Sequence, residues 1–148
     1  MPLHPDFPVV EGRCQLTENW SIELDQPHNR RLEDGSMVLW RPAFTIWLSV
    51  RGNDRKETIS QRVAWIVSEA SPAAFDILSG DKPGCYRHAY RLDEDGEDGP
   101  VHAYYGHLVA ATGHVQIVAY FDRLEDAVLA KAIVESLRYT GSQDTSKA

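Results

Sequence analysis

The sequence contains only two cysteines, Cys14 and Cys85, among its 148 residues. They lie far apart and neither belongs to a CxxC pair, so the chain lacks the spacing of a thiolate metal site and of a disulfide framework. We therefore predict that both thiols are reduced and structural. With 43% hydrophobic residues, a chain of this length can bury a core without disulfides or metal.

Basic residues are also scarce. The chain has 15 lysines and arginines against 22 acidic residues, which gives a net charge of -7. It lacks the positive field that attracts phosphate backbones, so we expect no nucleic-acid partner. No segment approaches the ~20 apolar residues of a membrane-spanning helix, and the first residues lack the pattern of a signal peptide. These features predict a cytoplasmic protein without membrane insertion.

The short motifs of catalysis and nucleotide binding are missing: GxSxG, GxxxxGK[ST], GxGxxG and HExxH do not occur. His102 and His107 point to opposite faces of a predicted strand and cannot share a metal ion. The acidic turn at residues 93–100 has Asp98 where a calcium loop requires glycine. We expect no catalytic residue, no metal site and no cofactor. Cys85 or Ser49 meeting a histidine in space remains an open alternative.

Hydrophobic periodicity predicts seven strands and two helices. The strands are expected at residues 20–24, 37–41, 44–50, 75–78, 86–92, 101–111 and 114–121, and the helices at residues 58–70 and 124–139. Hairpins connect these elements, so we predict an α+β fold, a largely antiparallel sheet of about six to seven strands flanked by two main helices. Residues 27–35 are expected to form a loop, and Asp122 with Glu125 to cap the last helix.

The chain is expected to form one domain over residues 1–148, with a folded body at about residues 12–140. Three prolines within the first eight residues predict a short flexible N-terminal arm, and the polar residues 141–148 predict a flexible C-terminal tail.

The hairpin at residues 101–121 predicts a surface of mixed polarity. With Thr112 and Gly113 as its loop, Ala110 faces Val115 on an apolar face, and the opposite face is mixed. Pairing Leu92 with Val101 adds a third strand to that mixed face, which then gathers a Tyr/His cluster of Tyr86, His88, Tyr90, Tyr105, His107 and Tyr120. The cluster is either a binding surface or an ordinary sheet face beneath a helix.

Two tryptophans lie outside the predicted apolar stripes. Trp47 alternates out of register with its apolar neighbours, and Trp65 lies beside the stripe of its helix, which comprises Ile59, Val63, Ile66, Val67 and Ala70. Each is either a docking anchor for a partner or a residue packed under a helix.

Three segments carry a family resemblance: LTENWSIEL at residues 16–24, FTIWLSV at residues 44–50 and IVESLR at residues 133–138. In these segments and in element order, the chain resembles the PsbP-like and DcrB-like superfamily of α/β sandwiches. The resemblance implies an α/β/α sandwich that works by binding another protein, as do a photosystem accessory subunit, a Ran-release factor and chaperones of type VI secretion effectors. It supplies no catalytic residues.

The leading expectation is a bacterial, non-enzymatic adaptor or chaperone-like domain that binds a protein through exposed aromatic sheet or the groove beside a helix. Two alternatives stay open. One is a small-molecule binding protein or enzyme with a pocket lined by the Tyr/His cluster. The other is a homo-oligomeric structural subunit that buries Trp47 or Trp65 in a symmetric interface.

Overall fold

The computed structural model describes residues 3–97 and 99–140, so the predicted tail at residues 141–148 lies outside the described residues. Within these residues the chain forms nine strands and two α-helices. In chain order they are β1 (Val9–Gln15), β2 (Trp20–Glu33), β3 (Ser36–Arg41), β4 (Phe44–Gly52), α1 (Ile59–Glu69), β5 (Phe75–Lys82), β6 (Cys85–Gly96), β7 (Gly99–Ala110), β8 (Gly113–Phe121), α2 (Ala127–Glu135) and β9 (Arg138–Tyr139).

All strand pairs are antiparallel, and the sheet order is β1-β2-β3-β4-β8-β7-β6-β5, with β9 paired to the start of β2. The predicted α+β class is confirmed, but the described sheet has nine strands instead of six to seven. The two strands that were not predicted are β1, which is an edge strand with mostly exposed side chains, and β9, which is too short to show a periodicity.

The predicted loop at residues 27–35 is wrong, because β2 continues to Glu33. Pro27 interrupts no ladder, since it lies where the register between β1 and β2 shifts around Gly12. The charged end of β2 stays at the surface, where the Arg31 guanidinium lies 4.8 Å from the Trp40 ring and 2.9 Å from the Glu33 carboxylate.

The last helix is shorter than predicted. A single 3-10 turn, Leu124–Asp126, precedes α2, and no side chain caps it, so the predicted Asp122–Glu125 capping box is wrong. Asp122 instead directly follows β8 and donates its backbone N–H to the Ala43 carbonyl oxygen at 3.2 Å. The helix ends where the Ser136 hydroxyl donates to the Ile133 carbonyl, and the chain then enters β9.

The hydrophobic core lies between α2 and one face of the sheet. Ile133 and Val134 of α2, and Leu137 just after the helix, are buried there in one cluster with apolar side chains of β2, β4, β7 and β8. Gly106 permits this packing, because a Cβ at that position would lie 2.3 Å from Val134 Cγ1. Helix α1 lies against the opposite face, where its main contacts among the described strands are with β6 and β7. No helix of the described residues has the length and apolarity that a membrane span requires.

Candidate functional site

The predicted mixed face forms, although the predicted register is displaced. The β7–β8 hairpin turns at Ala111 and Thr112, so the Thr112–Gly113 loop is wrong and Leu108, not Ala110, pairs with Val115. Leu92 likewise pairs with Ala103 and not with Val101. Each displacement is two residues, and side chains alternate with a period of two, so every residue stays on its predicted face.

Three tyrosines of the Tyr/His cluster are in contact. The rings of Tyr90 and Tyr105 stack, with centroids 5.1 Å apart and planes inclined by 9°. The Tyr105 hydroxyl donates to Glu94 Oε2 at 2.6 Å and lies 3.4 Å from the Tyr120 hydroxyl oxygen. Burial and the hydrogen bond to the Glu94 carboxylate raise the pKa of Tyr105 far above its ordinary value, so this hydroxyl stays protonated and acts as a donor.

Three buried histidines lie on the same face, on β6, β7 and β8. The ring of His107 lies 6.4 Å from that of His88 and 6.2 Å from that of His114. Burial lowers the pKa of all three, and the neighbouring histidines contribute to the pKa of about 4 at His107. All three imidazoles are therefore neutral near pH 7. His107 Nδ1 has no hydrogen-bond partner among the described residues.

Arg62 of α1 reaches down to this face and is only 8% exposed. Its Nη1 donates to His114 Nδ1 and to the Gly52 carbonyl oxygen, each at 2.9 Å. Its Nη2 donates to Asn53 Oδ1 at 3.0 Å and lies 3.0 Å from Glu57 Oε1. The guanidinium therefore ties α1 to β8 and to the segment after β4.

The fixed guanidinium also sets the tautomer of His114. Arginine can only donate, so His114 Nδ1 must accept, and the proton of the neutral ring lies on Nε2. Burial, and then the positive charges of Arg62 and Arg51, lower the pKa of His114 to about 4. His114 is thus a neutral ring with a defined donor, Nε2–H.

A cleft of about 800 Å³ separates α1 from the mixed face. Its volume falls within the range of small-ligand sites. The floor comprises sheet side chains, the wall comprises α1 side chains and the rim carries charges; the main lining residues are Tyr90, Leu92, Tyr105, His107, His114 and Gln116 (floor), Arg62, Trp65, Ile66 and Glu69 (wall), and Arg51, Asp54, Arg55 and Glu57 (rim).

Only some of the predicted site residues line this cleft. Tyr90, Tyr105, His107 and Trp65 line the cleft, and His88 and Tyr120 contact this group. Trp47 lies on the same face beyond the cleft, opposite Val118 and 5.9 Å from the Arg31 guanidinium. Tyr86 is half-buried on the same face, paired with Val109 and Asp81, and does not line the cleft.

Helix periodicity did not predict a role for Arg62, because this residue lies outside the predicted apolar stripe. In the structure Arg62 and Ile66 are the buried residues of α1, while Val67 of the predicted stripe is 48% exposed. The helix is rotated relative to the prediction, so that Arg62 faces its hydrogen-bond acceptors on Gly52, Asn53 and His114. A signal was present in the spacing, since Arg62 lies four residues after the cap Thr58 and four before Ile66.

The two candidate nucleophiles do not meet a histidine in the described structure. Ser49 Oγ lies 3.0 Å from Ser36 Oγ, and Cys85 is buried, which raises the pKa of its thiol and keeps it protonated. No three histidine, cysteine or carboxylate side chains of residues 3–97 and 99–140 are placed to hold a metal ion.

No family model and no curated protein matches the chain. Among solved structures, the chain is similar to a protein from Bacteroides thetaiotaomicron VPI-5482, whose crystal structure was determined at 1.50 Å resolution. The TM-score is 0.61 at 12% sequence identity, and the match covers 90% of this chain and 50% of the Bacteroides protein. The chain thus spans about half the length of that protein, and at this identity the likeness concerns the fold alone.

Proposed function

We propose that this protein is a non-enzymatic, adaptor-like or chaperone-like domain that holds a segment of another protein across the mixed face, with one side chain of that segment in the cleft. The observation that supports this proposal best is a row of side chains that leads out of the cleft and crosses the sheet. It runs over six strands, through Tyr90, Tyr105, Val118, Trp47, Val38 and Arg31. Tyr105, Trp47 and Arg31 are the partly exposed members of this row, and the other three side chains are buried.

The dimensions of this row suit an extended or helical segment. Five strand spacings of ~4.8 Å give a length of about 24 Å. Helix α1 covers the β6–β7 end, and at the other end Phe7 packs on Trp40 with ring centroids 5.0 Å apart. Between these ends Trp47 and Tyr120 are half-buried. Such rigid aromatic side chains commonly supply the main binding energy of protein interfaces.

The proposal agrees with the resemblance to PsbP-like and DcrB-like proteins, including their α/β/α sandwich, and it includes the cytoplasmic location predicted from composition. It differs from the homo-oligomer alternative, in which Trp47 or Trp65 would contact a second copy of the chain.

Photo-crosslinking in cells of the source organism tests this proposal. Benzoylphenylalanine at position 47 or 65 should yield a discrete adduct with the same partner protein, because both positions border the proposed path of the segment. The matched control is the same probe at Val128, which is 78% exposed on α2 at the opposite face. Equal adducts at all three positions, or adducts at Val128 alone, would contradict the proposal, and adducts with a second copy of the chain would favour the homo-oligomer.

A small-molecule ligand is the second candidate, favoured by the cleft volume of about 800 Å³ and its converging polar groups. Native mass spectrometry of protein purified from its source distinguishes the two. A bound mass of a few hundred daltons that is lost on denaturation, together with no crosslinked protein, would favour this candidate.

A further inference from the structure

We propose that the floor of the cleft is an anchor for a carboxylate, with His114 Nε2–H as the hydrogen-bond donor and the Arg51 guanidinium as the neighbouring positive charge. The apolar or aromatic part attached to that carboxylate would lie against Trp65 and the Tyr90–Tyr105 pair. This inference rests on the proposed function, because the carboxylate is an acidic side chain or the C-terminus of the bound segment.

The first support is the fixed donor. His114 lines the cleft, and its Nδ1 is occupied by Arg62 Nη1 at 2.9 Å. Its Nε2 forms no hydrogen bond among the described residues. This atom is also not fully sealed from solvent, in contrast to His107 Nδ1. The Nε2–H group therefore has to be satisfied by water or by an acceptor of the ligand.

The second support is the local charge. Arg51 is the cross-strand neighbour of His114. The positive charges of Arg62 and Arg51 both lie close enough to lower the pKa of His114. Glu57 compensates Arg62 at 3.0 Å, whereas Arg51 takes part in no ion pair among residues 3–97 and 99–140. The Arg51 guanidinium, which has no compensating carboxylate among these residues, lies beside a neutral donor and favours an anionic acceptor over an ammonium group.

The third support is the position of the apolar side chains. Trp65, Ile66 and Leu92 line the same cleft as His114, so a ligand can place its anion on the floor and its apolar body against the wall. Asp54, Glu69 and Arg55 also line the cleft, where the two carboxylates oppose a second negative group. The site is therefore expected to select a single carboxylate joined to an apolar or aromatic group.

The test uses three probes of nearly equal shape: 3-phenylpropionate, 3-phenylpropanamide and 3-phenylpropylamine. Binding is followed by long-range ¹H–¹⁵N NMR of ¹⁵N-histidine-labelled protein, which reports the His114 tautomer directly. We expect a ring protonated at Nε2 in the free protein, a shift of that resonance on adding the carboxylate, and roughly tenfold weaker binding of the amine.

Two variants distinguish an anchor from a general apolar site. Arg51→Gln should weaken carboxylate binding about threefold to tenfold while leaving amide binding unchanged. The matched control is Arg123→Gln, because Arg123 is exposed and remote from the cleft lining. His114→Phe should abolish the preference for the carboxylate, and Arg51→Gln keeps the test informative if that variant does not fold.

The anchor is overturned if the amine binds as tightly as the carboxylate, if the carboxylate does not shift the His114 resonance, or if Arg51→Gln and Arg123→Gln behave alike. The crosslinking at positions 47 and 65 is a separate readout. Adducts there combined with a failed NMR titration would leave the protein-binding proposal standing and remove only the carboxylate anchor.

Discussion

At the scale of single residues, Gly106 and Arg62 decide which helix packs on each side of the sheet and how it is held there. Gly106 gives α2 room to contact the core face, since a Cβ would meet Val134 at 2.3 Å and Ile117 at 3.1 Å. Arg62 performs the corresponding task on the other face, where it joins α1 to the sheet through hydrogen bonds to Gly52, Asn53 and His114. Helix α2 is therefore held on its face of the sheet by apolar contacts, and α1 is held on the other face by hydrogen bonds.

We expect Gly106→Ala to destabilise the protein by about 1–3 kcal/mol, because the added methyl group overpacks the interface with α2. Urea denaturation monitored by tryptophan fluorescence measures this loss. The matched control is Gly80→Ala on the edge strand β5, where an added Cβ meets nothing within 4 Å. The interpretation fails if the two variants lose equal stability.

At the scale of secondary-structure elements, α1 is the element on which the cleft depends. It starts with a capping box, in which the Thr58 hydroxyl accepts from the Gln61 N–H and the Gln61 side chain accepts from the Thr58 N–H. Only Arg62 and Ile66 of its 11 residues are buried. The helix therefore has little packing to stabilise it, and local capping and the Arg62 hydrogen bonds matter more than in α2.

Thr58→Ala should destabilise α1 by about 1 kcal/mol, because it removes the acceptor for the Gln61 N–H. Amide hydrogen exchange should show faster exchange within α1 and unchanged exchange within α2, since the two helices pack on opposite faces. Ser60→Ala is the control, because Ser60 is exposed in the first turn and contributes no cap. Equal acceleration in both helices would show that α1 does not open separately.

At the scale of the whole molecule, the buried histidines couple stability to pH. Burial holds the pKa of His107 and of His114 at about 4 in the folded chain, below the value of about 6.5 for an unfolded histidine. Between these two pH values the unfolded chain binds more protons, so the stability that the neutral rings confer is complete above about pH 6.5 and is lost as pH falls towards 4.

We expect the free energy of unfolding to decrease steeply from about pH 6.5 to about pH 4, by up to roughly 3 kcal/mol for each of these histidines. Urea denaturation at a series of pH values gives the slope. His107→Leu should make the slope shallower, because it removes one titrating group and an unpartnered polar atom. A slope that His107→Leu does not alter would contradict this account.

The sequence alone determined the antiparallel α+β class and the sharing of faces in β6, β7 and β8, because alternation with a period of two survives a register error of two residues. The composition likewise determined the net negative charge. The sequence alone could not determine the hairpin registers, the short strand β9 or the strand character of residues 27–33, because these depend on pairing with β2 and β3. Only the tertiary structure decided that Arg62 turns inward and that the cleft exists, because both depend on the acceptors of Gly52, Asn53 and His114 meeting the helix. Helix periodicity by itself assumes that an apolar face is buried.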